Sequence, residues 1–171
     1  EMAAKVAGKN GMAILQDMLY FTANQEKEHA IVFYNYLKDV FKDANVSMEA
    51  NYPVDLDQDL SSLLEQAAQH EYDEATSIYK QFGDEAKEEG YVEIATTFYM
   101  ICEIEHYHHE RFKKYHNLLT SGKLFNDQST VKWMCMNCGF IYEGTDALTI
   151  CPVCKHPQGY SLRLDESQFH L

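Results

Sequence analysis

The stretch IATTFYMICEIEHYHHERFKKYHNLL, residues 94–119, repeats apolar residues at steps of four and three: Ile94, Phe98, Ile101, then Glu105 and His108, then Phe112, Tyr115 and Leu119. That period describes a helix with one apolar stripe, and two members of the stripe are an acid and an imidazole. The stretch LQDMLYFTANQEKEHAIVFYNYLKDV, residues 15–40, does the same with Leu15, Leu19, Thr22, then Glu26 and His29, then Phe33, Tyr36 and Val40. A third, over about 58–89, runs Leu60, Leu64, Ala67, then Glu71 and Glu74, then Ile78. Residues three apart are neighbours on one helix face, so each pair can close on a common ion. Six polar groups, four of them acidic, are thereby expected to meet inside one helical bundle.

Burying four carboxylates beside two imidazoles costs several kcal/mol for each ion, against a total domain stability of roughly 5–15 kcal/mol. A cation must therefore sit among them. A mixed carboxylate and imidazole set suits iron or manganese, and Glu combined with Glu-x-x-His is the pattern of ferritin-like di-iron and di-manganese bundles. One Glu-x-x-His alone is more often a surface ion pair, but three pairs on core seams are poorly explained that way. Helical register also separates the candidates. Glu103 and His106 form another Glu-x-x-His, rotated about 200° from the seam, and are read as solvated or interface residues. His109 lies nearer the seam and is a candidate for a supporting hydrogen bond. His70 reads as a surface or supporting residue rather than a ligand.

At 171 residues the chain accommodates one large domain or a bundle with a small appendage. Its 14 Lys and Arg against 27 Asp and Glu give a net charge of −13, which disfavours nucleic acid and anionic membrane as partners. No apolar run approaches the ~18 residues of a spanning helix and no leader pattern is visible, so a cytoplasmic protein is expected. Residues 1–7 (EMAAKVA) read as the end of a first helix, followed by the turn GKNG at 8–11. The connection through Gly90 is short, whereas the segment at about 43–57, with Pro53, is long. One long crossover between two helical hairpins is the ferritin-like topology. The hairpins resemble a duplicated unit, and the offsets from Glu71 and Glu74 to Glu105, applied to Glu26, lead to an expected seventh carboxylate ligand upstream of Glu1.

Four of the five cysteines form C-x2-C-x12-C-x2-C, as Cys135, Cys138, Cys151 and Cys154. The spacing points to one tetrahedral four-thiolate site rather than to two disulfides. Zinc and iron both accept four thiolates, so a structural zinc ribbon is the alternative, and a redox bundle in the same chain favours iron. Gly139 permits the tight turn that aims backbone N–H groups at sulfur, and Trp133, Phe140 and Tyr142 are expected to shield the site. Cys102 adjoins the helical seam and reads as a small packed hydrophobe. The expected organisation is a bundle over 1–121, a polar connector over 122–132 and a small cysteine domain over 133–171.

The segments ANQEKEHA (23–30), AAQHEYDEATSIY (67–79), EHYHHERF (105–112) and WMCMNCGFIYEG (133–144) with CPVC (151–154) closely resemble the rubrerythrin family, in the same order and over essentially the whole chain. The resemblance implies a mainly α fold, a ferritin-like four-helix bundle with a small C-terminal rubredoxin-like metal knuckle domain. It implies two iron ions in the bundle and one iron in Fe(Cys)4. It further implies a peroxidase that reduces hydrogen peroxide to water in oxidative-stress defence. Glu26 and Glu105 match the carboxylates that bridge the irons, His29 and His108 the terminal imidazoles, and Glu71 the terminal carboxylate of the second iron. Glu74 matches a residue that exchanges with His29 when the oxidation state changes, and Tyr79 a tyrosine close to the irons. Rubredoxin or an NAD(P)H-dependent reductase is the implied electron donor, and a homodimer in which one subunit's cysteine domain serves the other's bundle is the implied assembly. The family's first-helix glutamate has no counterpart in residues 1–171. Two rivals stand beside this reading: a ferroxidase or oxygen-reducing di-iron protein, against which the cysteine domain argues, and a zinc-ribbon adaptor with a structural metal bundle.

Overall fold

The computed structural model describes residues 1–42, 44–47, 49 and 57–167, without the side chain of Asp39. Helix α1 spans Met2–Lys9, α2 Ala13–Phe41, α3 Leu60–Asp73, α4 Tyr79–Glu88 and α5 Val92–Thr120. A wider π-helical turn, Glu74–Ile78, joins α3 to α4 without a break. Strands β1 (Asn126–Cys135), β2 (Ile141–Asp146) and β3 (Ser161–Arg163) follow. The expected mainly α fold with a small C-terminal metal knuckle is borne out. Most of the long crossover between the hairpins, including Pro53, lies outside the described residues, as does the expected carboxylate upstream of Glu1.

Local chemistry sets the helix ends. Asp59 caps α3, its carboxylate accepting from the Ser62 N–H at 2.9 Å. After α4, Gly90 adopts a φ of 90°, and the Tyr91 N–H then reaches back to the Ala86 carbonyl at 2.8 Å, so the chain reverses in two residues.

The chain divides into two compact units, Phe21–Lys114 and Glu1–Tyr20 with Tyr115–Leu171. Within the first, three helices meet through an aromatic cluster. Phe33 on α2 stacks on Phe98 of α5 at 4.7 Å and on Tyr79 of α4 at 5.8 Å, and Tyr79 lies 6.0 Å from Phe98. Tyr36 and Thr97 join their hydroxyls at 2.7 Å. On α5 the predicted seam is buried at Ile101, Glu105, His108, Phe112 and Tyr115. Three expected seam positions are corrected. Val40 is 73% exposed, the α2 stripe ending at half-buried Tyr36, and Ile78 is 42% exposed. The reason at Ile78 is the π turn, which inserts one residue into the helical period and moves Tyr79 into the place Ile78 was expected to hold. On α3, Ala68 rather than Ala67 is the buried alanine.

In the second unit the strands form an antiparallel sheet in the order β2-β1-β3. The segment expected as a polar connector, 122–132, instead carries most of β1, whose Thr130 and Val131 suit extended backbone. Trp133 is fully buried, donating from its indole N–H to the Gly144 carbonyl at 3.0 Å while the Arg163 guanidinium lies over its ring. Tyr115 donates to Glu166 at 3.2 Å, and Gly159 packs directly against the backbone carbonyl of Gly11. Among the described residues no helix is long and apolar enough to cross a membrane.

Candidate metal centres

The helical seams bring Glu26 and His29 from α2, Glu71 from α3, and Glu105 and His108 from α5 to one place. Ligand atoms of Glu26, Glu71, Glu105 and His108 all lie within 4.8 Å of one another. His108 Nδ1 is 2.6 Å from Glu26 Oε1, 2.8 Å from Glu105 Oε2 and 3.5 Å from Glu71 Oε2. His29 Nδ1 is 3.1 Å from Glu26 Oε2 and 3.0 Å from Glu105 Oε1. Glu26 and Glu105 thus each send one oxygen toward each histidine, whereas Glu71 approaches His108. Glu105 and His108 are 0% and 1% exposed, so water cannot neutralise this charge.

His29 Nδ1 and Glu26 Oε2 form a hydrogen bond, but most of the other close approaches do not. Six buried side-chain polar atoms lack a hydrogen-bond partner among the described residues, and five are in this cluster: Glu26 Oε1, Glu71 Oε2, both Glu105 oxygens and His108 Nδ1. Buried polar atoms are otherwise nearly always paired. Acceptors converging on a common point without donors between them fit a cation at that point, and oxygen with imidazole nitrogen suits iron.

The electrostatics agree. Burial draws Glu71 and Glu74 up to about 7, with neighbouring carboxylates adding to the rise. Burial also opposes ionisation of Glu26, but the two imidazoles prevail and hold it down at about 2. His29 is lifted to about 9 by Glu105 and Glu26, and His108, despite its burial, to about 11 by Glu105, Glu26 and Glu71. Burial and the four carboxylates keep the Tyr79 phenol well above its usual range. Glu74 and Tyr79 therefore both feel the cluster, although Glu74 is outside the four-residue ligand group.

The remaining sequence candidates fall as follows. Glu103 and His106 are exposed, as the register argument required, and Cys102, expected as a small packed hydrophobe, is half-buried. His109 Nδ1 donates to the Ala68 carbonyl at 2.7 Å, tying α5 to α3 one turn before Glu71. His70 belongs to neither metal-binding group. Sequence reasoning did not single out Gln25 or Arg111: His108 Nε2 lies 3.1 Å from Gln25 Oε1, which also accepts from Arg111.

The cysteines form the second centre. Sγ atoms of Cys135 and Cys154, and of Cys138 and Cys151, are 3.6 Å apart, and all four lie within 4.8 Å of one another. A disulfide needs ~2.05 Å, whereas a tetrahedron with ~2.3 Å metal–sulfur bonds has edges of ~3.8 Å. Gly139 takes a φ of 75° as the turn requires, and the Asn137 and Cys138 N–H groups point at the Cys135 sulfur. The His156 N–H at the Cys154 sulfur lowers that thiol to about 6.

The Rubrerythrin family model matches residues 1–116, and that of the rubrerythrin rubredoxin-like domain matches residues 133–160. The chain belongs to the rubrerythrin family. It is 42% identical over 157 residues to a rubrerythrin of Clostridium perfringens, covering 92% of this chain and 80% of that protein. It is 34% identical over 154 residues to a rubrerythrin of Nitratidesulfovibrio vulgaris, covering 90% and 78%. Solved structures of nigerythrin, one partially and one fully reduced, align with a TM-score of 0.60 at 21% and 22% identity. The alignments cover 95% and 94% of this chain and 76% and 75% of those, a likeness of fold. As a rubrerythrin, the chain carries a di-iron site at Glu26, Glu71, Glu105 and His108 and a rubredoxin-like iron site at Cys135, Cys138, Cys151 and Cys154.

Proposed function

We propose that the protein is a peroxidase, reducing hydrogen peroxide to two waters at the helical di-iron site with electrons relayed through Fe(Cys)4. The observation that carries this reading is that one chain holds both a buried carboxylate and imidazole cluster and a four-thiolate centre. Storage or oxidation of iron has no need of a one-electron inlet, which the cysteine centre provides. Two electrons and two protons convert one peroxide into two waters. When bound, the iron pair supplies those electrons and Lewis acidity, and the cysteine iron returns them singly.

The chain's own residues hold and protonate. Glu26 and Glu105, each reaching both histidines, would hold the two irons in common, with His29 and His108 supplying the imidazole ligands and Glu71 a further carboxylate near His108. Glu74 follows Glu71 at the start of the π turn, where backbone slack allows it to exchange with His29 as charge changes. Tyr79, kept protonated by its surroundings, is assigned as a donor to the departing oxygen. The stacked Phe33, Phe98 and Tyr79 rings present an apolar wall beside these groups. Rubredoxin or an NAD(P)H-dependent reductase is the proposed donor, and the cytoplasm, where thiols stay reduced, the proposed compartment. Exposed apolar residues on α2, among them Ile31, Tyr34 and Leu37, support a homodimer.

The test is anaerobic stopped-flow of the fully reduced full-length protein against hydrogen peroxide, following the visible band of oxidised thiolate iron. Return of colour much faster than with oxygen supports the peroxidase. A faster response to oxygen, or to added Fe(II) with oxygen, replaces it with an oxidase or ferroxidase.

A further inference from the structure

His108 presents Nδ1 to the carboxylates, and an imidazole can do so as a neutral ligand only if the other nitrogen, Nε2, keeps its proton. That nitrogen lies 3.1 Å from Gln25 Oε1. A glutamine side chain ends in an oxygen and an NH2 that exchange places by a simple flip, so Gln25 alone does not specify the imidazole tautomer. Arg111 removes the ambiguity. A guanidinium can only donate, and Arg111 Nη1 lies 3.0 Å from Gln25 Oε1 and 2.8 Å from the hydroxyl oxygen of Thr22, which is itself 1% exposed. The atom facing Arg111 must be the glutamine oxygen, and the same oxygen faces His108.

We infer that Gln25, held in one orientation by Arg111, is a positioning residue that fixes the His108 tautomer, keeping the proton on Nε2 and Nδ1 free for iron. One helical turn on each of two helices builds the relay, since Thr22 and Gln25 are three residues apart on α2 and His108 and Arg111 three apart on α5. The inference rests on the di-iron assignment and not on peroxide as the oxidant.

The experiment is Fe(II) binding to full-length Gln25→Leu, Gln25→Glu and Arg111→Met, measured by chelator competition, with the visible band of the cysteine iron in each sample as an internal check of folding. Loss of such a supporting hydrogen bond weakens metal binding by about 10–100-fold. That loss is expected for Gln25→Leu, a smaller one for Arg111→Met, and near-normal binding for Gln25→Glu, whose oxygens still accept from both neighbours. Gln25→Leu binding within threefold of wild type overturns the inference. So does failure of Gln25→Glu to restore binding, which would make the effect one of packing. Independently of any variant, 15N-resolved NMR of the wild-type protein loaded with Zn(II) must show the His108 proton on Nε2. A proton on Nδ1 overturns the inference.

Discussion

The rings of His29 and His108 lie 5.8 Å apart and nearly parallel, at 18°, and the carboxylates of Glu26 and Glu105 each reach both of them. Two imidazoles side by side, joined above and below by two-oxygen linkers, are the frame of a two-ion site rather than a one-ion site. Glu105 is the more deeply buried linker, so it has no substitute from solvent.

Glu105→Ala is accordingly expected to abolish pairing of the irons and lower peroxide turnover at least ~100-fold. Steady-state peroxide consumption together with iron counting checks this. Turnover within tenfold of wild type would remove Glu105 from the ligand set.

Cys154→Ser should lose the visible band of the thiolate iron and with it electron delivery, while the helical site keeps two irons. The cysteines and the helical ligands lie in different compact units, which is why their metal contents should separate. Iron analysis and single-turnover oxidation of the reduced variant test it, and loss of iron from both sites contradicts independent centres.

The metal-free protein should become less stable as pH rises. Glu71 and Glu74 stand near 7 in the fold against 4.5, His29 near 9 and His108 near 11 against 6.5. A raised pKa stabilises the fold fully below the unfolded value and ceases to do so as pH passes the folded value. The two glutamates therefore stop contributing between about 4.5 and 7 and the two histidines between 6.5 and about 11. Glu26, held near 2, acts oppositely, and only below 4.5. From pH 5.5 to 8.5 a drop in Tm of roughly 5 °C is expected, corresponding to ~2 kcal/mol. Calorimetry decides it, and the iron-loaded protein, its ligands deprotonated by metal, should not show the drop.

Gly159→Ala should destabilise by about 3 kcal/mol, because a Cβ there collides with the Gly11 carbonyl and backbone cannot rotate aside as a side chain can. Chemical denaturation measures this. An unchanged midpoint would mean the two backbones are not in contact in solution.

Much of the site was legible because its ligands interrupt periodic seams. Glu105 and His108 break a stripe that otherwise reads as core, and the cysteine spacing is informative without any fold. The turn at Glu74–Ile78 was not legible. Nothing in EATSI departs from ordinary helical composition, so the seam was carried one residue short, to Ile78. In a continuous α-helix Tyr79 would lie about 140° from Glu74, whereas the inserted residue brings it to within about 40°. Gln25 was hidden for another reason. Gln25 is half-buried beside the seam, one turn from Thr22 and His29, but an amide there carries no ligand signature, and only the positions of His108 and Arg111 on another helix give it a role. The polarity of 122–132 reflects how exposed β1 is over 126–132, where its pairing with β2 also shifts register.

The contact between Gly11 and Gly159 joins backbones 148 positions apart. During synthesis the packing of the turn after α1 therefore waits for 148 further residues, and it can form only after Cys154, the fourth thiolate of the knuckle, has been made. Closing so long a loop is slow, and its success is tied to the knuckle that presents Gly159. Because metal binding stabilises the knuckle that carries Gly159, filling the cysteine site is expected also to steady the turn after α1.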